Sequence, residues 1–154
     1  MSKAVLVSNT GPLIALSRIG CLLPASEVFD IHVPLNVVAE WRSAPEIWPD
    51  FLKVLPETVT DPLLRLQLDT GEASVIESAL QHRYPTVLID ERKARRVARN
   101  IYGLTVVGTA RVLVEVRKAG LIGELAPLFA SLRASSYWID DSIVEWALMS
   151  VKDS

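Results

Sequence analysis

Short apolar segments alternate with helical segments along the chain, and this alternation predicts a parallel α/β fold. Apolar, largely β-branched segments lie at residues 4–7, 31–33, 86–89 and 104–107, and a further short strand is predicted at 53–55. Segments of this length and composition, bounded by turn residues, are typical of buried strands. We therefore predict a three-layer α/β/α sandwich with a central parallel sheet of four or five strands.

Helical spacing of apolar residues fills most of the sequence between these strands. It predicts helices over residues 12–19, 22–29, 34–44, 69–81, 91–100, 110–119, 123–135 and 140–151. The segment 45–60 is interrupted by three prolines and is predicted to be an irregular connection around the short strand at 53–55. Residues 137–139 are interpreted either as a strand or as an extended approach to the last helix. The helices after the fourth clear strand are expected to pack on the outside of the sandwich.

Two glutamates lie on the apolar faces of predicted helices. Glu40 shares its face with Val37 and Trp41, and Glu72 shares its face with Val75 and Ile76. A buried carboxylate lowers stability unless a cation or a hydrogen-bond donor meets it. This placement makes both glutamates candidates for a functional site.

Further polar residues follow the predicted strands. Asn9 and Thr10 follow the first strand, Asp90 and Glu91 follow the strand at 86–89, and Thr109 follows the last strand. The carboxyl ends of parallel strands meet at one edge of a sheet, where ligands bind in open α/β folds. Oxygen donors that converge there suit Mg²⁺ or Mn²⁺, which can activate water and neutralise charge on a phosphoryl group.

The same residues have a simpler interpretation as helix caps. Taken singly, Asn9 fits a turn or an N-cap, and Asp69 with Glu72 fits the spacing of a capping box. Asp90 fits an N-cap, and Glu91 fits the first turn, where the helix dipole favours a negative charge. The remaining residue with a capping interpretation is Thr109. Capping explains each residue alone, whereas a shared site explains why they converge.

Composition narrows the function without defining it. The chain has 154 residues, which we interpret as one domain over 1–154, and its formal net charge is -2. Because the whole chain is not basic, a nucleic-acid role requires a local patch. The single Cys21 fits a reducing cytoplasm, and neither a signal peptide nor a membrane span is expected.

The densest basic segment is the predicted helix after Asp90. Its side chains allow two interpretations, a solvated face with a Glu91–Arg95 pair or a contact with RNA phosphates. The residues assigned to RNA binding are Arg92, Arg95 and Arg99. The four tryptophans do not alternate with basic residues and are predicted to serve packing or interfaces, not base stacking.

Four segments together resemble a PIN domain. They are residues 5–16 (VLVSNTGPLIAL), 71–79 (GEASVIESA), 88–98 (LIDERKARRVA) and 103–113 (GLTVVGTARVL). The chain is most similar to the small stand-alone PIN-like proteins of unassigned function that are related to the toxin ribonucleases of toxin–antitoxin pairs. The resemblance covers nearly the whole chain in the same order.

The resemblance implies a metal-dependent ribonuclease that hydrolyses RNA with Mg²⁺ or Mn²⁺. Glu40, Glu72 and Asp90 would be the catalytic acids, Asn9 and Glu91 would complete the metal ligands, and Thr10 and Thr109 would position a water or a phosphate oxygen. A small antitoxin protein, a homodimer and a cytoplasmic location are implied in the same way. The chain departs from the PIN domain pattern at one position, and this departure supports an alternative function. PIN domains carry an aspartate at the end of the first strand, and Asn9 brings no charge, which also fits a catalytically silent module that binds RNA or protein.

Overall fold

The five predicted strands all form and pair into one parallel sheet. The computed structural model describes residues 3–42, 48–56 and 61–152. Its strands are β1 (Ala4–Ser8), β2 (Phe29–Pro34), β3 (Lys53–Leu55), β4 (Thr86–Leu88) and β5 (Thr105–Val107). Its helices in these ranges are α1 (Thr10–Arg18), α2 (Leu22–Val28), α3 (Leu35–Arg42), α4 (Pro62–Gln67), α5 (Thr70–His82), α6 (Arg92–Asn100), α7 (Thr109–Lys118), α8 (Leu125–Ala134) and α9 (Asp141–Ser150). None of the helices in the described ranges is long and apolar enough to cross a membrane.

The order of the strands places a crevice at the centre of the sheet. The order is β3-β2-β1-β4-β5, so the chain builds outwards from β1 to β3 and then returns to the other side of β1. Such a reversal is a topological switch point, where ligands bind beyond the carboxyl ends of the strands. Val7 pairs with Val87 and Ser8 pairs with Leu88, so the residues that follow β1 and β4 emerge side by side.

The side chains of the sheet alternate between two hydrophobic cores. Leu6 and Leu88 belong to the core under α1, α2, α7, α8 and α9. Val7 and Val87 belong to the opposite core under α4, α5 and α6. All four side chains are fully buried. Because both faces of the sheet are covered, the predicted α/β/α sandwich is confirmed.

Two local features differ from the pattern predicted by the sequence. Pro34 is the last residue of β2, where it pairs with Leu55, instead of the first residue of the following helix. Residues 62–67 form the unpredicted helix α4, which buries Leu64 and leaves Leu66 82% exposed. Residues 137–139 form no strand and connect α8 to α9, so the interpretation as a strand is wrong. Residues 43–47, with the end of the predicted helix 34–44 and the start of the predicted irregular connection, and residues 57–60 of that connection lie outside the described residues.

Candidate functional site

Four of the predicted site residues meet in one small cavity beyond the carboxyl ends of β1 and β4. Its volume is about 200 Å³. The residues that line it are Asn9, Pro12, Asp69, Glu72, Ile89, Asp90, Glu91 and Tyr137. The cavity therefore lies at the topological switch point, and we refer to it as the acidic cavity.

Asn9 forms one wall of the acidic cavity and also caps a helix. It is the N-cap of α1, and its Oδ1 accepts a hydrogen bond from the Thr10 N–H at 2.9 Å. The capping interpretation is therefore correct for Asn9. Its amide packs tightly against the first turn of α5, because a Cβ atom on Gly71 would lie 2.7 Å from Asn9 Oδ1. Glycine at position 71 is what allows α5 to begin this close to the end of β1.

Glu72 enters the cavity from the first turn of α5. Half of the predicted capping box forms, since Asp69 Oδ1 accepts a hydrogen bond from the Glu72 N–H at 2.8 Å. The other half does not, and Glu72 Oε2 is buried without a hydrogen-bond partner. Burial raises the pKa of Glu72 to about 8, and the neighbouring carboxylates of Asp69 and Glu91 add to the rise. Glu72 is therefore a mostly protonated acid at neutral pH.

Glu91, and not Asp90, is the N-cap of α6. Glu91 accepts hydrogen bonds from the N–H groups of Lys93 at 3.0 Å and Ala94 at 2.7 Å. Partial burial opposes ionisation, but these two hydrogen bonds outweigh it and lower the pKa of Glu91. The expectation that Asp90 caps this helix is thus wrong, as is the placement of Glu91 inside the first turn. The helix begins later because the Asp90 carboxylate turns towards α7.

Asp90 is held in place by donors from two distant segments. Its Oδ1 accepts the Thr109 N–H at 2.8 Å, and its Oδ2 accepts the Thr109 hydroxyl at 2.5 Å. The Tyr137 hydroxyl also donates to Oδ2. The space is tight, because a Cβ atom on Gly108 would lie 2.8 Å from Asp90 Oδ1 and from Arg95 Nη1 alike. The carboxylate of Asp90 is therefore preorganised before any ligand binds.

Tyr137 is the residue of this site that the sequence does not indicate. It is the last residue of a Schellman motif that ends α8. In this motif the Tyr137 N–H donates to Leu132 O at 3.0 Å, and the Ser136 N–H donates to Arg133 O at 3.0 Å. Ser136 adopts a left-handed conformation with φ of 66° to make this turn. Burial, and then the charge of Asp90, raise the pKa of Tyr137, which keeps its proton and remains a donor. A serine in place of the usual glycine at this turn gave no sequence signal.

The predicted RNA-binding arginines line a second, larger cavity of about 790 Å³. We call it the arginine groove; Asp90 lines both it and the acidic cavity. Arg95 is half-buried and donates from Nη1 to Ile89 O at 2.8 Å. No ion pair joins Glu91 to Arg95 in the described part of the chain, so the predicted pair does not form. Arg95 instead stabilises the backbone just after β4 through this hydrogen bond.

Glu40 belongs to α3, and its side chain lies outside the part of the chain that the structure describes. The structure therefore leaves the predicted role of Glu40 as an expectation. Thr10 is buried and meets Asn9 through its backbone, whereas Thr109 meets Asp90 through both its backbone and its hydroxyl. Of the predicted positioning residues, Thr109 therefore acts on a cavity carboxylate directly.

The donors of the acidic cavity fit a hard divalent cation. Carboxylate and amide oxygens are the ligands that Mg²⁺ and Mn²⁺ prefer. Glu72 Oε2, which is buried and unpartnered, is the atom whose burial a cation would offset. Among the described residues, no three acidic, histidine or cysteine side chains form a group that could hold an ion. The carboxylates thus surround the cavity without converging on one point.

A family model described as a PIN domain matches residues 5–153 of the chain. This range contains every residue that lines the acidic cavity and every residue that lines the arginine groove. We found no match among the curated proteins and none among the solved structures.

Proposed function

The chain belongs to the PIN domain family, and on that premise we propose that it is a divalent-metal-dependent ribonuclease that hydrolyses RNA phosphodiester bonds. PIN domains are nuclease-like proteins that generally depend on divalent metals and commonly act on RNA. The observation that carries the proposal is the meeting of Asn9, Glu72, Asp90 and Glu91 in one cavity at the switch point of the sheet. Asp90 also lines the neighbouring groove, which is lined by arginines.

Glu72 and Asp90 would hold Mg²⁺ or Mn²⁺, with Glu91 and Asn9 beside them and Glu40 as a further acid expected from the sequence. Such an ion, when bound, lowers the pKa of water and neutralises charge on the phosphoryl group. The chain itself supplies the fixed geometry. Asp90 is held by Thr109 and Tyr137, so its carboxylate needs little reorganisation when a cation arrives.

The other predicted residues would handle the substrate. Arg92, Arg95 and Arg99 line the groove beside Asp90, where their guanidinium groups can bind RNA phosphates. Thr10 and Thr109 are proposed to position a water or a phosphate oxygen. Both are buried at the carboxyl edge of the sheet, next to Asn9 and Asp90 respectively.

Hydrolysis of an end-labelled RNA that contains both paired and single-stranded segments, by the pure protein, tests this function. We expect cleavage with Mn²⁺, no cleavage with a chelator in its place, and a rate reduced about 100-fold or more in Glu72→Gln. Gln keeps the size and the neutral form of Glu72 but cannot become an anionic ligand. Glu124→Gln is the matched control, because Glu124 is exposed at the start of α8 and lies outside both cavities.

Two results would contradict the proposal. One is no hydrolysis by the wild-type protein with Mn²⁺ even at high concentration. The other is equal hydrolysis by the wild-type protein and Glu72→Gln. Either result would leave the acidic cavity without the catalytic role that we assign to it.

The affinity for Mn²⁺ is expected to rise with pH up to about 8. Glu72 has a pKa of about 8 in the folded protein and must lose its proton to ligate a cation. Below that pH, each unit of acidification should weaken binding by up to about tenfold, because one proton must be released. Calorimetric titrations at about pH 6, 7 and 8 measure this slope. Glu72→Gln should bind weakly with little dependence on pH.

The raised pKa of Glu72 also predicts how the stability of the metal-free protein depends on pH. Stability should fall with rising pH, whereas the affinity for Mn²⁺ should rise. Because its pKa is raised above the unfolded value, Glu72 stabilises the fold least when it is ionised. Stability should therefore fall as pH rises from about 4.5 towards about 8, and the fall should be smaller in Glu72→Gln. A wild-type Mn²⁺ affinity that is constant over this range would remove Glu72 from the ligand set.

A second candidate function is a catalytically silent module that binds RNA or a protein. Asn9 favours it, since the amide contributes no charge and already caps α1. The absence of a closed three-ligand group among the described residues also favours it. A Mn²⁺ binding isotherm that disappears in Glu72→Gln would reject this alternative.

Partners are also part of the proposal. PIN domains commonly pair with antitoxins, and we propose that this chain is a toxin inhibited by a small antitoxin protein. We further propose a homodimer that buries an exposed apolar side chain of α9 outside the arginine groove, Met149, which is 67% exposed. The buried thiol of Cys21 fits the proposed cytoplasmic location.

A further inference from the structure

The arginine groove combines positive charge with exposed aromatic rings. It runs from Asp90 along α6 and β5 to α7, α9 and the segment that leads into α9. The groove is larger than the acidic cavity, at about 790 Å³ against about 200 Å³. Since Asp90 lines both, a ligand that fills the groove contacts one carboxylate of the acidic cavity.

The charge of the groove suits a polyanion. Five arginines line it, four from α6 and Arg111 from α7, against the two carboxylates of Asp90 and Asp140. The protein as a whole has a formal net charge of -2, so this excess of positive charge is local. A local cationic cleft attracts phosphates and raises the rate at which they associate.

Two tryptophans at the far side of the groove distinguish it from a simple anion site. The Trp138 ring is 73% exposed and lies 5.2 Å from the Arg133 guanidinium. The Trp146 ring is 43% exposed and lies 5.9 Å from the Arg111 guanidinium. The sequence predicted packing or interface roles, which Trp41 and Trp48 fit through their mutual edge contact at 5.5 Å. Trp138 instead presents its ring to solvent beside the arginines.

We propose that the arginine groove binds single-stranded RNA, with phosphates on the arginines and a base stacked on Trp138. An exposed indole offers a stacking surface for any base, and the guanidinium on the ring adds a cation–π contact. A duplex keeps its bases stacked on each other and leaves none free for Trp138. The proposal rests on the proposed function, because it takes RNA as the substrate that the groove leads to Asp90.

Binding of a fluorescent RNA of roughly 12 unstructured nucleotides, measured by anisotropy in EDTA, tests the proposal. We expect Trp138→Ala to weaken binding about tenfold or more and Trp138→Phe to retain most of the affinity. Leu66→Ala is the control, because Leu66 is an exposed apolar side chain outside the groove. Thermal denaturation of each variant identifies any loss that comes from unfolding.

Two further measurements separate stacking from charge. An abasic oligonucleotide of the same length should bind equally to wild type and Trp138→Ala, because it has no base to stack. Arg96→Ala should weaken binding and reduce the slope of log affinity against log salt by about 1. Lys118→Ala is its control, an exposed cation at the end of α7 outside the groove.

Unchanged RNA affinity in Trp138→Ala would overturn the proposal. So would an acidic peptide that displaces the RNA as effectively as unlabelled RNA does, since the groove would then be a peptide site. Failure here is distinct from failure of the proposed function. Binding in EDTA requires no hydrolysis, and hydrolysis with Mn²⁺ can persist without a contribution from Trp138.

Discussion

Asp90→Asn is expected to reduce Mn²⁺-dependent RNA hydrolysis by about 100-fold or more. The substitution removes the charge of the carboxylate that lines both cavities. It also disturbs the local hydrogen bonds. The Thr109 N–H requires an acceptor at Oδ1, so the new NH₂ group must lie at Oδ2, where the hydroxyls of Thr109 and Tyr137 donate. Both hydroxyls would have to rotate and accept instead.

Initial rates with Mn²⁺ on an end-labelled RNA measure this effect. Glu27→Gln is the charge-matched control, since Glu27 is exposed on α2 and lies outside both cavities. Tyr137→Phe removes one donor to Asp90 and leaves its charge, so we expect a smaller loss, about tenfold. A rate for Asp90→Asn within about twofold of the wild-type rate would show that Asp90 is a structural residue and not a catalytic one.

Asn9→Asp is expected to tighten Mn²⁺ binding by about tenfold or more, a free-energy gain of about 1.4 kcal/mol. The amide already faces the acidic cavity, so the substitution places a full negative charge beside Glu72 without a new side-chain position. The cap of α1 should persist, because Asp and Asn accept the N-cap hydrogen bond about equally well. Hydrolysis should accelerate with the tighter binding if charge limits the natural site.

The metal-free Asn9→Asp protein should be less stable than the wild type, by on the order of 1 kcal/mol. A new carboxylate beside those of Asp69 and Glu91 adds repulsion, which a bound cation relieves. Calorimetric titration with Mn²⁺ and thermal denaturation with and without the ion measure the two effects. Asn100→Asp, at the exposed end of α6, controls for net charge. Equal Mn²⁺ affinity in Asn9→Asp and the wild type would exclude residue 9 from the ligand set.

The strands and their assembly into a parallel sheet could be predicted from local sequence, but the order of the strands could not. Each strand is a short apolar segment bounded by turn residues, and burial on both faces requires nothing more than that composition. Asn9 and Asp90 were expected at one edge of the sheet because each follows a predicted parallel strand. Their position side by side depends on the pairing of β1 with β4, which the structure shows. Helix α5 also begins where its cap, Asp69, predicts, whereas α1 begins at Thr10, two residues before its predicted start.

The orientation of the side chains in the acidic cavity could not be predicted from local sequence. Asp90 and Glu91 compete to cap α6, and local rules favour either one. Thr109 and Tyr137 donate hydrogen bonds to the Asp90 carboxylate, so Glu91 is the residue that caps α6. These two donors lie 19 and 47 residues further along the chain. The arginine groove also depends on nonlocal structure. Trp138 lines it together with the arginines of α6 because the chain turns at Ser136 after α8.

The sequence by itself therefore determined the α/β/α sandwich and the edge where the polar residues gather, because strand length, periodicity and capping are local properties. Only the tertiary structure decided that Glu91 caps α6, that Asp90 is fixed by Tyr137, and that Glu72 keeps a buried, unpartnered oxygen. Each of these depends on whether the fold brings a distant hydrogen-bond donor close to the carboxylate. A side chain with several local options takes the one that its nonlocal neighbours stabilise.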